Sequence, residues 1–133
     1  MYVHQIQLRV RYSETDRMGY AYYGNYAQYY EIGRVEAFRN LDFSYKELED
    51  SGVILPVLNM QCQYFKPAIY DDLLTVKTVI PEMPGVRIKF NYEIYCSTEL
   101  LNKGYTELIF FDTIKQKPCR MPKWMQEKLK VYF

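Results

Sequence analysis

The chain has 133 residues, of which 49% are hydrophobic, 25% charged and 17% aromatic, with 15 tyrosines among them. That length fits one domain able to bury a core of its own, and a net charge of +1 excludes the long-range field that gathers nucleic acid or an anionic membrane. Three cysteines without C-x-x-C spacing argue against a disulfide framework or a zinc site and favour a reducing compartment.

The opening residues, MYVHQIQLRV, lack a basic segment followed by a long apolar run, and no stretch approaches the ~20 apolar residues of a membrane span. A cytoplasmic location is therefore expected. Residues 5–12 alternate apolar and polar, which predicts a strand with one buried face. Residues 13–24 hold Ser13, Thr15, Asp16, Gly19 and Gly24, and the regularity breaks there.

Asn25 reads as a helix N-cap, with Gln28 completing a weak capping box. In the helix that follows, Tyr26, Tyr30, Ile32, Val35, Ala37, Phe38 and Leu41 fall at mixed spacings, which predicts burial on more than one side. Gly33 is costly in a helix interior and points to a close approach by backbone or ligand. Ser44 and Glu47 form a better capping box for a short helix that Gly52 can close.

Strand patterns follow. Residues 54–66 read as one strand with Pro56 near its start, and Pro67 ends it. Asp71 and Asp72 mark a turn before a strand over 73–80 (LLTVKTVI). PEMPG at 81–85 is a turn, and 86–94 alternate cleanly. Asn102 to Gly104 is expected to be a turn, with a further strand over 105–114. Pro122 opens a short terminal helix. Tight turns mean antiparallel neighbours, so the whole reads as a single α+β domain over 1–133 in which a sheet wraps an early helix. The tyrosine excess suits subunit contacts and pockets with one wet end as well as strands.

Most catalytic kits are absent. His4 is the only histidine and stands ahead of the strand, there is no Gly-rich phosphate loop, and Asp71–Asp72 is explained as turn chemistry. Lys115, Lys117 and Arg120 form a small basic trio near the C-terminus. Asp16 differs by its context, between a strand and a helix start. The first amides of a helix have no intrahelical partners and sit at the positive end of its dipole. A carbonyl placed there is polarised, and Asp16 can then attack it or activate a water. On residue physics alone, a loop Asp is more often a turn or cap residue.

The run Y-x-E-T-D-x-M-G-x-x-Y-x-x-N-Y from Tyr12 to Tyr26, then Y-Y-E-x-x-R ending at Arg34, resembles the signature of the hotdog-fold acyl-CoA thioesterases, specifically the hydroxybenzoyl-CoA thioesterase-like group. The stretch Y-F-K-P-A-x-Y-D-D-L-L-x-V from Tyr64 to Val76 is similar to that group's third-strand entry. The resemblance covers nearly the whole chain. It implies the hotdog fold, an antiparallel sheet wrapped around one long central helix, and an acyl-CoA thioester hydrolase that needs no metal or redox cofactor. It further implies a homodimer joined edge to edge, or a tetramer of such pairs, with active sites between protomers. Asp16 matches the family's catalytic carboxylate, and the amides of Tyr23 and Gly24 match its oxyanion site. Asn25 and Tyr26 fall with the substrate-binding positions. Lys66, Arg87, Lys89, Lys115, Lys117 and Arg120 are the candidates for the CoA phosphates. One departure is that many relatives carry His where this chain has Tyr23. Glu31 is expected to pair with Arg34 at i, i+3. An acyl-carrier-protein thioesterase and a non-catalytic acyl-CoA binder are the alternatives; a hydratase fits less well because its Asp is typically joined by a nearby His.

Overall fold

A computed structural model describes residues 1–133. Strand β1 (Tyr2–Arg9) runs into a loop holding two single 3-10 turns, Tyr12–Glu14 and Tyr23–Asn25, and then into α1 (Tyr26–Asn40). After α2 (Tyr45–Asp50) come β2 (Val53–Ile54), β3 (Val57–Tyr64), β4 (Leu73–Ile80), β5 (Arg87–Cys96) and β6 (Glu99–Ile109). The chain ends with β7 (Phe111–Asp112), β8 (Lys117–Pro118), α3 (Lys123–Leu129) and a last 3-10 turn. Five antiparallel strands lie in the order β1-β4-β5-β6-β3, and β2-β7-β8 make a small second sheet. No helix is long and apolar enough to cross a membrane.

α1 lies across the inner face of the large sheet. Its buried residues are Tyr26, Tyr29, Tyr30, Gly33, Arg34, Ala37 and Phe38. These fall on a single i, i+3, i+4, i+7 stripe, so the expectation of burial on several sides fails. Ile32 on the far side is exposed. Gly33 is explained by the sheet: a Cβ there would stand 2.6 Å from Thr78 Oγ1 and 2.9 Å from Val76 Cγ1. The far end of α1 is pinned by Tyr2, whose hydroxyl donates to the Ala37 carbonyl at 3.0 Å and accepts from Asn40 Nδ2 at 2.8 Å.

Three sequence expectations are corrected. The strand expected over 54–66 is split, because Leu55 and Pro56 leave β2 in the small sheet and β3 in the large one; Pro56 has no amide to continue a ladder. The turn expected at Asn102–Gly104 lies inside β6. The real turn is at Ser97, with φ 54°, and Asn102 is buried, accepting from Tyr30 Oη and donating to the Gln63 carbonyl at 2.9 Å. Asn25 is not a side-chain N-cap. It has helical φ and ψ, makes no capping bond, and sends its amide group to another partner. Ser44, by contrast, caps α2 by accepting from the Glu47 amide at 3.1 Å.

Candidate active site

The loop between β1 and α1 is built on Asp16. Its amide donates to Tyr20 O at 2.8 Å and its carbonyl accepts from Gly19 N at 3.0 Å. Gly19 has φ +79°, a conformation a side chain would strain. Asp16 Oδ1 accepts from the amides of Met18 and Tyr20 at 2.9 and 3.2 Å. No hydrogen bond within the chain reaches Oδ2, so one oxygen holds the turn and the other is free.

The second half of the loop is the 3-10 turn that leads into α1. The Tyr22 amide donates to Glu14 O and the Asn25 amide to Tyr22 O, both at 2.9 Å. No turn, loop or cap bond uses the amides of Tyr23 or Gly24. They are the open donors expected at a helical start, displaced upstream of Asn25 because the 3-10 turn continues directly into α1. Asn25 Nδ2 donates to Glu14 O at 2.7 Å. At Gly24 an added Cβ would meet the Tyr22 ring at 2.7 Å.

Two grooves flank this turn. One, of about 420 Å³, is lined by Asp16, Tyr23, Tyr26, Tyr64, Phe65 and Lys66 among others. Tyr64 donates to the Tyr23 carbonyl at 3.2 Å and stands edge-on to Tyr26, 5.2 Å between ring centres. Lys66 pairs with Glu99. The other groove, of about 550 Å³, runs between α1 and β3 and holds Gly24, Asn25, Glu31, Arg34, Met60 and Thr106. The Tyr23–Gly24 turn is the rim between the two. The expected Glu31–Arg34 pair is not formed. Arg34 turns inward and donates from Nε to Tyr45 Oη at 3.0 Å, leaving Glu31 exposed in the groove.

The structure brings Asp16, Tyr23, Gly24, Asn25, Tyr26 and Lys66 around these grooves, and leaves the other basic candidates elsewhere in the chain. Arg87 and Lys89 lie on the sheet face opposite α1, Arg87 paired with Glu107 at 2.7 Å and Lys89 4.6 Å over the Tyr105 ring. Lys117 is in β8 and Arg120 lies beside Gly85. Lys115 sits on the Asp112 turn, its amide 2.9 Å from Asp112 Oδ1. β7 and β8 follow the end of β6 that pairs with Val57, whereas the Asp16 groove lies at the Tyr64 end of β3. His4, expected ahead of the first strand, lies inside β1, paired in register with Thr78 on β4, and its Nδ1 is buried without a partner. Asp72 Oδ2 accepts from Ile69 N at 3.0 Å and Asp71 faces Arg9, which is turn chemistry.

Two residues escaped the sequence reading. Tyr64 tethers the Tyr23 carbonyl. The Glu14 carboxyl accepts from the Arg11 amide at 2.9 Å and from Tyr29 Oη at 3.0 Å, and burial first, then that bond to Glu14, pushes the Tyr29 phenol upward. Both stand inside recognised motifs, which was the available signal.

A family model described as the thioesterase-like superfamily matches residues 10–129. YneP of Bacillus subtilis (strain 168) is 35% identical over 124 residues, covering 92% of this chain and 90% of that protein. An acyl-CoA thioester hydrolase of Escherichia coli, YbgC, is 34% identical over 117 residues, 87% of each chain. The crystal structure of a DHNA-CoA thioesterase from Staphylococcus aureus superposes with a TM-score of 0.90 at 35% identity, covering 99% of this chain and 92% of that one. With its sheet wrapped on one long helix and a family model matching residues 10–129, the chain belongs to the thioesterase-like superfamily and has the hotdog fold.

Proposed function

We propose that this chain is an acyl-CoA thioesterase, hydrolysing the thioester to a carboxylic acid and free CoA. The observation that carries this reading is the pairing of one hydrogen-bonded and one free carboxyl oxygen on Asp16 with the unused amides of the Tyr23–Gly24 turn, in which Tyr23 lines the Asp16 groove and Gly24 the neighbouring one. The thioester carbonyl oxygen takes the two amides, whose dipoles favour the negative charge that develops as the carbon becomes tetrahedral. Asp16 Oδ2 then attacks that carbon, or draws a proton from a water that does. By the first route the CoA thiolate leaves behind an Asp16–acyl anhydride, which water hydrolyses to the free acid and the Asp16 carboxylate while a water proton goes to the thiolate. By the second the hydroxide adds, the C–S bond breaks, and Asp16 passes the proton it took to the leaving thiolate. Nothing in these steps calls for a metal or redox cofactor. The E. coli and S. aureus relatives, named for acyl-CoA hydrolysis, support the same assignment.

The working unit in this proposal is a cytoplasmic homodimer formed along β3, the outer strand of the sheet, whose residues are exposed almost throughout. Antiparallel pairing of two β3 strands sets the Tyr64 end of one beside the Val57 end of the other. The partner's Lys117 and Arg120 then approach the groove of Lys66, where CoA phosphates need cations.

The test is a panel of short, long and aromatic acyl-CoAs with wild type and Asp16→Asn. Asn keeps an Oδ1 acceptor for Met18 and Tyr20, so the loop should stay folded while kcat falls at least ~100-fold. Equal turnover by the two proteins removes Asp16 from the mechanism. Tight binding of acyl-CoA with no turnover at any chain length makes the protein a binder, and turnover only of carrier-loaded acyl groups makes it a carrier-protein thioesterase.

A further inference from the structure

Resting on the hydrolase reading, we infer that Glu14 is a positioning residue that clamps the Asp16 loop to the open helix start. It ends the 3-10 turn Tyr12–Glu14, two residues before Asp16. Its Oε1 accepts from the Arg11 amide at 2.9 Å and from Tyr29 Oη at 3.0 Å. Its carbonyl accepts from the Tyr22 amide at 2.9 Å and from Asn25 Nδ2 at 2.7 Å. One residue therefore touches the segment leading to Asp16, the turn that presents the Tyr23 and Gly24 amides, and the first turn of α1.

The anchor on α1 is rigid. Tyr29 is fully buried, and a buried hydroxyl needs a partner; the Glu14 carboxyl is the one it has. Asn25 is spent on the same junction, which explains why an Asn at the helix start makes no capping bond there. The Glu14 side chain opens on a third cleft with Arg9, Arg11 and Gln28, of which Gln28 also lines the groove between α1 and β3. Glu14 itself lines neither of the two grooves that flank the Tyr23–Gly24 turn. Its effect is on the separation of the attacking oxygen from the two donor amides, and attack is sensitive to misplacements of that kind.

The experiment compares wild type with Glu14→Ala, Glu14→Gln and Tyr29→Phe, using the acyl-CoA that wild type turns over fastest, together with amide hydrogen exchange. Glu14→Ala should lower kcat roughly ten- to hundredfold with KM held within about threefold. Exchange across residues 13–25 should speed up while β4 and β5 are unchanged. Glu14→Gln keeps an Oε1 acceptor for both donors and should restore kcat to within about threefold of wild type. Tyr29→Phe keeps the buried ring and should lower kcat by about three- to tenfold. A folded Glu14→Ala with wild-type kcat overturns the clamp, as does a Gln variant as impaired as Ala. If Glu14→Ala does not fold, Tyr29→Phe decides, and an unchanged kcat overturns the inference. A wild-type protein that hydrolyses no acyl-CoA sinks the hydrolase reading instead; exchange across 13–25 then judges the clamp by itself, and unaltered exchange in Glu14→Ala rejects it.

Discussion

The Tyr30 hydroxyl occupies the space that a side chain at Gly104 would need. A Cβ built on Gly104 falls 2.6 Å from Tyr30 Oη and closer still to the Gln61 carbonyl oxygen. The second contact is with backbone in the neighbouring strand, so no rotamer change relieves it. Tyr30 in turn stacks on Tyr92 at 4.2 Å and reaches Asn102 and Cys62. Gly104→Ala should therefore destabilise the fold by about 3 kcal/mol, lowering Tm by roughly 10 °C. Gly85→Ala is the control, since its nearest neighbour is Arg120 Nη2 at 3.7 Å. Thermal unfolding of both variants checks this, and equal Tm values would contradict the β3–β6 register.

That glycine also marks where local sequence signals mislead. Asn-Lys-Gly has turn chemistry, yet tertiary packing overrides it, because Tyr30 from α1 and Gln61 from β3 both converge there. The strand over 73–80 was legible to the residue, since the Asp71–Asp72 turn and the PEMPG turn bound it on both sides. The start of α1 was legible only in outline. Asn25 has the right residue type for a cap, but a carbonyl eleven residues upstream, on Glu14, takes its side chain. The loop position of Asp16 could be read from its neighbours and from the motif. Which of its oxygens holds the turn, and that Lys66 borders the same groove while Arg87 and Lys89 face the other side of the sheet, depends on strand parity and long-range contacts that a linear pattern does not contain.

Lys66 is the basic candidate that lines the Asp16 groove. Its pairing with Glu99 is solvent-exposed and is easily exchanged for a phosphate. Lys66→Ala should raise KM for acyl-CoA about three- to tenfold and leave kcat within about twofold, the signature of lost uniform binding. Lys103→Ala, exposed on β6 on the opposite side of the sheet, should change neither. Steady-state kinetics at two ionic strengths checks both, and the Lys66 effect should shrink as salt rises.

The buried phenols make stability fall on the alkaline side. Burial pushes Tyr92 up to about 12, and burial is also the first cause of upward shifts at Tyr29 and Tyr30. Below pH ~10 these groups are protonated in both the folded and unfolded chain, and their contribution is fully present. Between pH ~10 and ~12 the unfolded chain releases protons that the native state keeps, so stability drops as pH rises, by about 2 kcal/mol for Tyr92 alone. Urea midpoints at pH 9, 10.5 and 11.5 measure the fall. Tyr92→Phe should lessen the fall by Tyr92's share while Tyr29 and Tyr30 keep the rest, and absorbance at 295 nm should show native phenols ionising later than those of the unfolded chain.

β3 leaves one edge of the five-stranded sheet without a partner, and Val57, Leu58 and Met60 are 49%, 45% and 39% exposed along it. An unblocked apolar edge is a template for a second strand. β1, the opposite edge, shows Gln5, Gln7 and Arg9 to solvent, with Val3 its one exposed apolar side chain. Replacing Leu58 and Met60 together by Lys places two like charges on each of two strands that would meet, which strand pairing does not tolerate. By light scattering wild type should run as the proposed β3 dimer and the double variant as a monomer at the same concentration. The variant's acyl-CoA hydrolysis should fall at least ~10-fold, chiefly through KM, because the partner's Lys117 and Arg120 no longer stand beside the Lys66 groove. Gln5→Lys on β1 should leave mass and activity as they were. A double variant that stays dimeric would put the contact on another surface, and a monomer with full activity would show that one protomer holds the complete site.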